Sequence, residues 1–235
     1  DQKFIHSYDY KLHDNCTCDH PQVVPEMHAI ERYLGINVEM SKMPIADSIY
    51  YLGFVHGEGL YEYNINFRRR MNDTTSSAIF WMYNDCWPAT RSWTTIDYLR
   101  NRTPAFWAVK RSFAPVTVDI VKTEGGFDVY GINEWLEEKA GKLTYGYFLP
   151  SGEIKSETVE VTLARNNSCV LAAIDGATLP EGAIPFAELD VAGEPLARRR
   201  WVDKAYNELG LEKSDIRITK NADGTATYLS DKLVL

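Results

Sequence analysis

The chain's 235 residues fit one large domain or two ordinary ones, and 45% apolar with 25% charged side chains is the composition of a soluble globular protein. A formal net charge of −8 argues against nucleic acid as a partner, because phosphate binding needs a basic face. No apolar run approaches the ~18–20 residues that span a bilayer, which argues against a membrane role.

Residues 3–10 predict a short strand, leading into a loop over 11–25 rich in Asp, Asn, Cys and Pro. A helix is predicted over 25–34, with Met27, Ile30, Tyr33 and Leu34 at helical spacing and Gly35 as its stop. A longer helix is predicted from Pro44 to Met71, with Ile49, Leu52, Val55, Leu60, Tyr63 and Phe67 as its apolar stripe. Gly53, Gly57 and Gly59 weaken its middle and invite a kink. Ala78–Tyr83 reads as a buried strand followed by a Pro-containing turn. Thr103-Pro104 then supplies an N-cap and a first-turn proline for a closing helix whose apolar side carries Phe106, Val109 and Phe113. Strand, helix, strand, helix points to a parallel α/β sheet or barrel.

Beyond residue 113 the period changes to two. Phe127 and Val129, then Leu143, Tyr145, Tyr147 and Leu149, then Val159, Val161 and Leu163 alternate between turn signals, the pattern of an antiparallel immunoglobulin-like sandwich. A helical turn is expected near Ala205–Leu209. Asp215–Leu235 reads as a further hairpin, either finishing the sandwich or beginning another β domain.

Four of the six tryptophans, Trp81, Trp87, Trp93 and Trp107, crowd the stretch 78–115. Large rigid rings around a short apolar run suggest an aromatic wall for a flat, partly apolar ligand such as a sugar ring. Phe80-Trp81-Met82-Tyr83-Asn84-Asp85-Cys86-Trp87-Pro88, then Ser92-Trp93-Thr94-Thr95-Ile96-Asp97-Tyr98, then Arg111-Ser112-Phe113-Ala114-Pro115, resemble the last barrel strand and closing helix of β-mannosidase-like members of glycoside hydrolase family 2. Val129-Tyr130-Gly131-Ile132-Asn133 is similar to the sandwich that follows the barrel in that family. The resemblance implies the C-terminal portion of a (β/α)₈ TIM barrel over 1–112 and an immunoglobulin-like β-sandwich over 113–235, with 211–235 as the possible start of another β domain. A whole barrel needs roughly 250 residues, so an N-terminal remainder of the same protein is the implied partner. A β-linked oligosaccharide is the implied ligand, no cofactor is called for, and the compartment it suggests is periplasmic, secreted or lysosomal.

Family members hydrolyse terminal β-glycosides with retention, using two carboxylates about 5 Å apart. Aligned on the family's nucleophile motif, Lys3–Tyr10 places Ser7 where the nucleophilic Glu stands. Asp9 is a substitute two residues on, with an ordinary loop carboxylate as the plainer reading. Trp87, with Asn84, Trp81 and Asp85, forms the implied sugar-binding set at the C-terminal face of the barrel. Trp81 alternatively packs in the core, and Asp85 alternatively orients the turn. Asp97 is expected to pair with Arg91 or Arg100. His13, Cys16, Cys18 and His20 make a metal-type cluster, but Cys-x-Cys is tighter than zinc spacing, and a polar loop is the preferred reading. His28 and His56 read as packing histidines. Arg68–Arg70 and Arg198–Arg200 read as solvated faces. Sequons at Asn15, Asn72, Asn101 and Asn166 occur at chance level, four cysteines do not make a disulfide scaffold, and the residues alone leave the compartment open. Two functional readings stand: the C-terminal part of a retaining β-mannosidase-like hydrolase, or a non-catalytic carbohydrate-binding or scaffolding relative that has lost the nucleophile.

Overall fold

The computed structural model describes residue 8 and residues 25–36, 43–89 and 93–230. Beside the helical Tyr8, the described residues ahead of the sheets form three helices: α1 (Pro25–Leu34), α2 (Ile45–Arg69) and α3 (Pro104–Ser112). Gly35 ends α1 as expected: it takes φ +69 and donates its N–H to Glu31 O at 2.8 Å.

α2 runs unbroken through its glycines, because two of them face α3. A Cβ on Gly53 would lie 2.6 Å from Pro104 Cγ, and one on Gly57 would lie 3.2 Å from Ala108 Cβ. The glycines therefore permit close helix contact instead of a kink. That contact also shifts both expected stripes. α3 buries Ala105, Ala108 and Ser112, while Phe113 is exposed. α2 buries Ser48, Val55, Gly57, Tyr61, Asn64, Ile65 and Arg68, so of its expected stripe only Val55 is fully buried. Small and polar residues face the neighbour; Asn64 Nδ2 donates to Ser112 Oγ at 3.0 Å.

Among the described residues no parallel sheet accompanies these helices. Ala78–Tyr83, expected as a buried strand, is irregular, and its Ile79 and Trp81 are 80% and 75% exposed. A strand needs a neighbour for its backbone groups, and the only described bridge here joins Asn84 to Ile96. Of residues 3–10, only Tyr8 is described; it is helical and exposed.

Seven strands then form two facing sheets: β1 (Val116–Lys122), β2 (Gly126–Asn133) and β5 (Asn167–Asp175), against β4 (Ile154–Leu163), β3 (Lys139–Phe148), β6 (Ile184–Val191) and β7 (Ala197–Arg200). All pairs are antiparallel, in the orders β1-β2-β5 and β4-β3-β6-β7, which is the expected immunoglobulin-like sandwich. Val118, Ile120, Val129, Leu143, Leu163 and Leu189 fill the space between the sheets. Each such side chain contributes about 1.5–3 kcal/mol by leaving water. Buried Asn133 ties the β2–β3 corner, its Nδ2 donating to Glu137 O at 2.9 Å and its Oδ1 accepting from Trp135 N at 3.0 Å.

β1 is buried on both faces. Alternation turns Val116, Val118 and Ile120 to the sandwich core, and turns Thr117 and Asp119 outward, where each is still only 3% exposed. The cover is basic. Asp119 accepts from Arg69 Nε at 3.0 Å and from Arg199 Nε at 3.2 Å, while Arg199 also pairs with Glu62 at 2.6 Å. Arg68 donates to Ala114 O at 2.8 Å, to Ser112 O and to Glu134 at 2.7 Å. The two arginine triplets are thus not simply solvated. Arg68, Arg69 and Arg199 join α2 to the sandwich, leaving Arg70 and Arg198 exposed. A 3₁₀ turn at Tyr206–Glu208 matches the expected helical turn. β8 (Ile216–Lys220) and β9 (Ala226–Ser230) make the expected hairpin, which pairs with no described sandwich strand and is exposed throughout.

Candidate functional site

The tryptophan segment is a pair of loops held together by backbone groups. Tyr83 O accepts from Thr95 N at 3.1 Å, Ile96 N at 3.0 Å and Thr95 Oγ1 at 2.8 Å. Asp85 N donates to Ile96 O at 3.0 Å. These bonds fix the turn that carries Asn84, Asp85 and Trp87. Asn84 is exposed and donates to Asp85 O at 3.1 Å, Asp85 is buried, and Trp87 is half-buried. Trp81, on the approach to this turn, is 75% exposed in this chain. The four sequence-chosen sugar residues therefore lie on one short, fastened stretch.

Asp97 does not pair with Arg100. Its carboxylate accepts from Asn101 N at 2.7 Å and Asn101 Nδ2 at 2.8 Å, closing a local turn; Arg91 lies outside the described residues. Thr103 precedes α3 as expected, but its hydroxyl donates to Thr95 O at 3.0 Å and does not cap the helix. The bond stitches α3 to the same loops. Arg102 stacks over the rings of Phe106 and Trp107 at 5.0 and 5.4 Å, adding a cation to the aromatic surface.

Ser7, Asp9, His13, Cys16, Cys18 and His20 lie outside the described residues, as does the side chain of His28. Among the described residues no group of three or more His, Cys, Asp or Glu could hold a metal ion. No helix among them is long and apolar enough to cross a membrane.

A second polar centre forms where α2 meets β1 and β7, where arginines of the two triplets meet Glu58, Glu62 and Asp119, carboxylates the sequence did not single out. Burial pushes the Asp119 carboxyl above the ordinary carboxylate range, against the pull of Arg199 and Arg69. Burial works against the charge of Arg199, but Glu62 and Asp119 outweigh it and hold the guanidinium more firmly protonated than usual. Burial raises Glu58 as well, with Arg200 and Arg199 opposing. Glu58 and Glu62 share a helix face by their four-residue spacing, a signal of this centre that the sequence carries beside the arginine triplets.

No protein-family model matches the chain. β-Mannosidase B of Emericella nidulans is 25% identical over 173 residues, covering 65% of this chain and 20% of the relative. The solved β-D-mannosidase of Dictyoglomus thermophilum shares the fold with a TM-score of 0.77 at 22% identity, over 89% of this chain and 26% of that one. The exo-chitosanase of Amycolatopsis orientalis does so with a TM-score of 0.58 at 16% identity, over 86% of this chain and 27% of that one.

The chain is a relative of glycoside hydrolases. Within that class it is similar to β-mannosidases, and it matches the C-terminal part of those proteins, spanning about a fifth of the length of the curated relatives.

Proposed function

We propose that the chain supplies the closing part of a family 2 β-mannosidase-like barrel, over 1–112, together with the supporting sandwich from 113 onward. In the whole protein it serves retaining hydrolysis of terminal β-glycosides. The turn at Asn84–Trp87 is the sugar-facing wall, with Trp87 against the ring at the cleaved bond, Trp81 extending the surface and Asp85 orienting the turn. The supporting observation is that Trp81, 75% exposed, stands on a segment fastened by hydrogen bonds beside a half-buried Trp87. A fastened tryptophan that this chain leaves uncovered suits stacking on a sugar ring. The upstream remainder would complete the barrel and contribute the acid/base Glu.

The test is hydrolysis of an aryl β-mannoside by the whole protein. Trp87→Ala is expected to lower kcat/KM by about tenfold or more, the loss of ~1.4 kcal/mol or more of binding shared by substrate and transition state. Unchanged kinetics would remove Trp87 from the sugar site. The 235-residue chain alone is expected to show no turnover, since it lacks a complete carboxylate pair.

Ser7 at the nucleophile position favours a second reading, a carbohydrate-binding relative without catalysis. A whole protein that binds β-mannosides and never cleaves them would establish it. If the whole protein does hydrolyse them, Asp9→Asn is expected to leave the activity intact; abolished activity would make Asp9 the nucleophile.

A further inference from the structure

We propose that the cleft between α2, α3 and β7 is a binding site for a small oxyanion, a phosphate or carboxylate on a molecule of monosaccharide size. The cleft has a volume of about 790 Å³, and none of its lining residues belongs to the Asn84–Trp87 turn. That volume falls within the ~300–1,000 Å³ usual for small-molecule sites.

The charge of the lining runs opposite to that of the chain, whose formal net charge is −8. Some of its charges are already matched: Arg199 by Glu62 and Asp119, Arg198 by Glu188, and Asp203 by Lys122. Four cations, Arg32, Arg111, Arg200 and Lys204, then remain in the lining against a single carboxylate, Glu58.

Two residues of the lining also carry buried donors without acceptors. Arg200 Nε and Trp201 Nε1 are buried and have no hydrogen-bond partner among the described residues, and both residues line the cavity. Arg200 spends another nitrogen on Tyr206 Oη at 3.1 Å, which fixes the guanidinium plane while leaving Nε–H unused. A buried donor without an acceptor costs about 1–3 kcal/mol, so two in one cavity call for an oxygen-rich acceptor. An oxyanion supplies several acceptor lone pairs and neutralises the surplus cations.

Glu58 faces Arg111 of α3, Arg199 and Arg200 of β7, Glu62 of its own helix and Tyr33 of α1. Burial raises its carboxyl above the ordinary range. Its carboxylate is the one remaining lining charge that would repel the anion, and burial already opposes that charge.

The experiment is isothermal titration calorimetry on the whole protein with inorganic phosphate, glucose 6-phosphate and glucuronate. Saturable 1:1 heat is expected from at least one probe, and the probe that binds tells phosphate from carboxylate. Arg200→Met is expected to weaken binding by about tenfold or more, the usual loss for a charged hydrogen bond. Trp201→Phe keeps an aromatic ring against Phe127 while removing the N–H together with the indole's second ring, so with a melt to confirm that it folds it tests the donor even if Arg200→Met fails to fold. Glu58→Gln, which keeps a donor without the charge, is expected to bind at least as tightly as the native protein. No heat from any probe, binding untouched by Trp201→Phe, or weaker binding by Glu58→Gln would each overturn the proposal. So would binding that survives in a folded Arg200→Met protein.

Discussion

Asp119→Ala should be the most damaging single change at the junction of α2 and the sandwich. The Asp119 side chain is 5% exposed and sits 3.0 Å from Arg69 and 3.2 Å from Arg199. At an effective dielectric of ~20 each contact is worth about 4 kcal/mol of attraction, most of it offset by the cost of drying the charges. Removing the shared carboxylate keeps the drying cost and deletes the attraction. Arg199 retains Glu62, and Arg69 retains Asn66 and the face of Tyr130. The loss therefore belongs at the lower end of the ~3–5 kcal/mol seen when a buried pair is broken. At ~2–4 °C per kcal/mol for a chain of this size, Tm should fall by about 6–12 °C. Circular dichroism melts of the purified protein measure it. Glu160→Ala serves as the control, because its pair with Lys142 is exposed on both sides, and it should change stability by less than about 0.5 kcal/mol. Melts of Asp119→Ala and Glu160→Ala that coincide with the native protein would refute the reasoning.

The helix contact gives an opposed pair of predictions: Gly53→Ala should destabilise by about 1–3 kcal/mol, because the new methyl meets Pro104 at 2.6 Å, whereas Gly59→Ala, with nothing within 4 Å, should stabilise by about 0.5–1 kcal/mol; urea titrations that fail to separate the two would contradict the packing account. Asn133→Ala should cost about 2–4 kcal/mol by chemical denaturation, since several buried backbone groups lose their partner at once. Glu58→Gln should raise Tm at pH 7. The folded protein holds the Glu58 carboxyl above its ordinary value of 4.5, so its ionised form lowers stability above the folded pKa, and that loss disappears as pH falls below the unfolded value. The gain of the variant over the native protein should therefore shrink towards pH 4, and a gain that grows on acidification would reverse the sign assigned to Glu58.

The sandwich was legible because alternation is a strong local signal. Leu143, Tyr145 and Tyr147 lie on β3, and Val159 to Leu163 lie on β4, as their spacing predicts. The helices were legible as elements but not as faces. Ile49, Tyr63 and Phe113 look like core from hydropathy, yet Gly53, Gly57, Ala105 and Ala108 form the seam, because close backbone approach rewards small residues. The arginine triplets misled for a related reason. Their positions along the sequence say nothing about Asp119, which lies 50 residues from Arg69 and 80 from Arg199. In the candidate site, motif spacing found the turn at Asn84–Trp87 but took Ala78–Tyr83 for a strand, because apolar content does not tell a paired strand from an exposed run.

Arg68 reaches Ser112 O and Ala114 O at the end of α3, and Glu134 at the edge of the sandwich, so one guanidinium holds both sides of the peptide that crosses from helix to sheet. For anyone dividing this protein for expression, that makes residues 113–115 a poor place to cut. Excision there would strand Arg68 and Arg69 on one product and Asp119 and Glu134 on the other, turning an internal seam into two sticky surfaces of opposite charge.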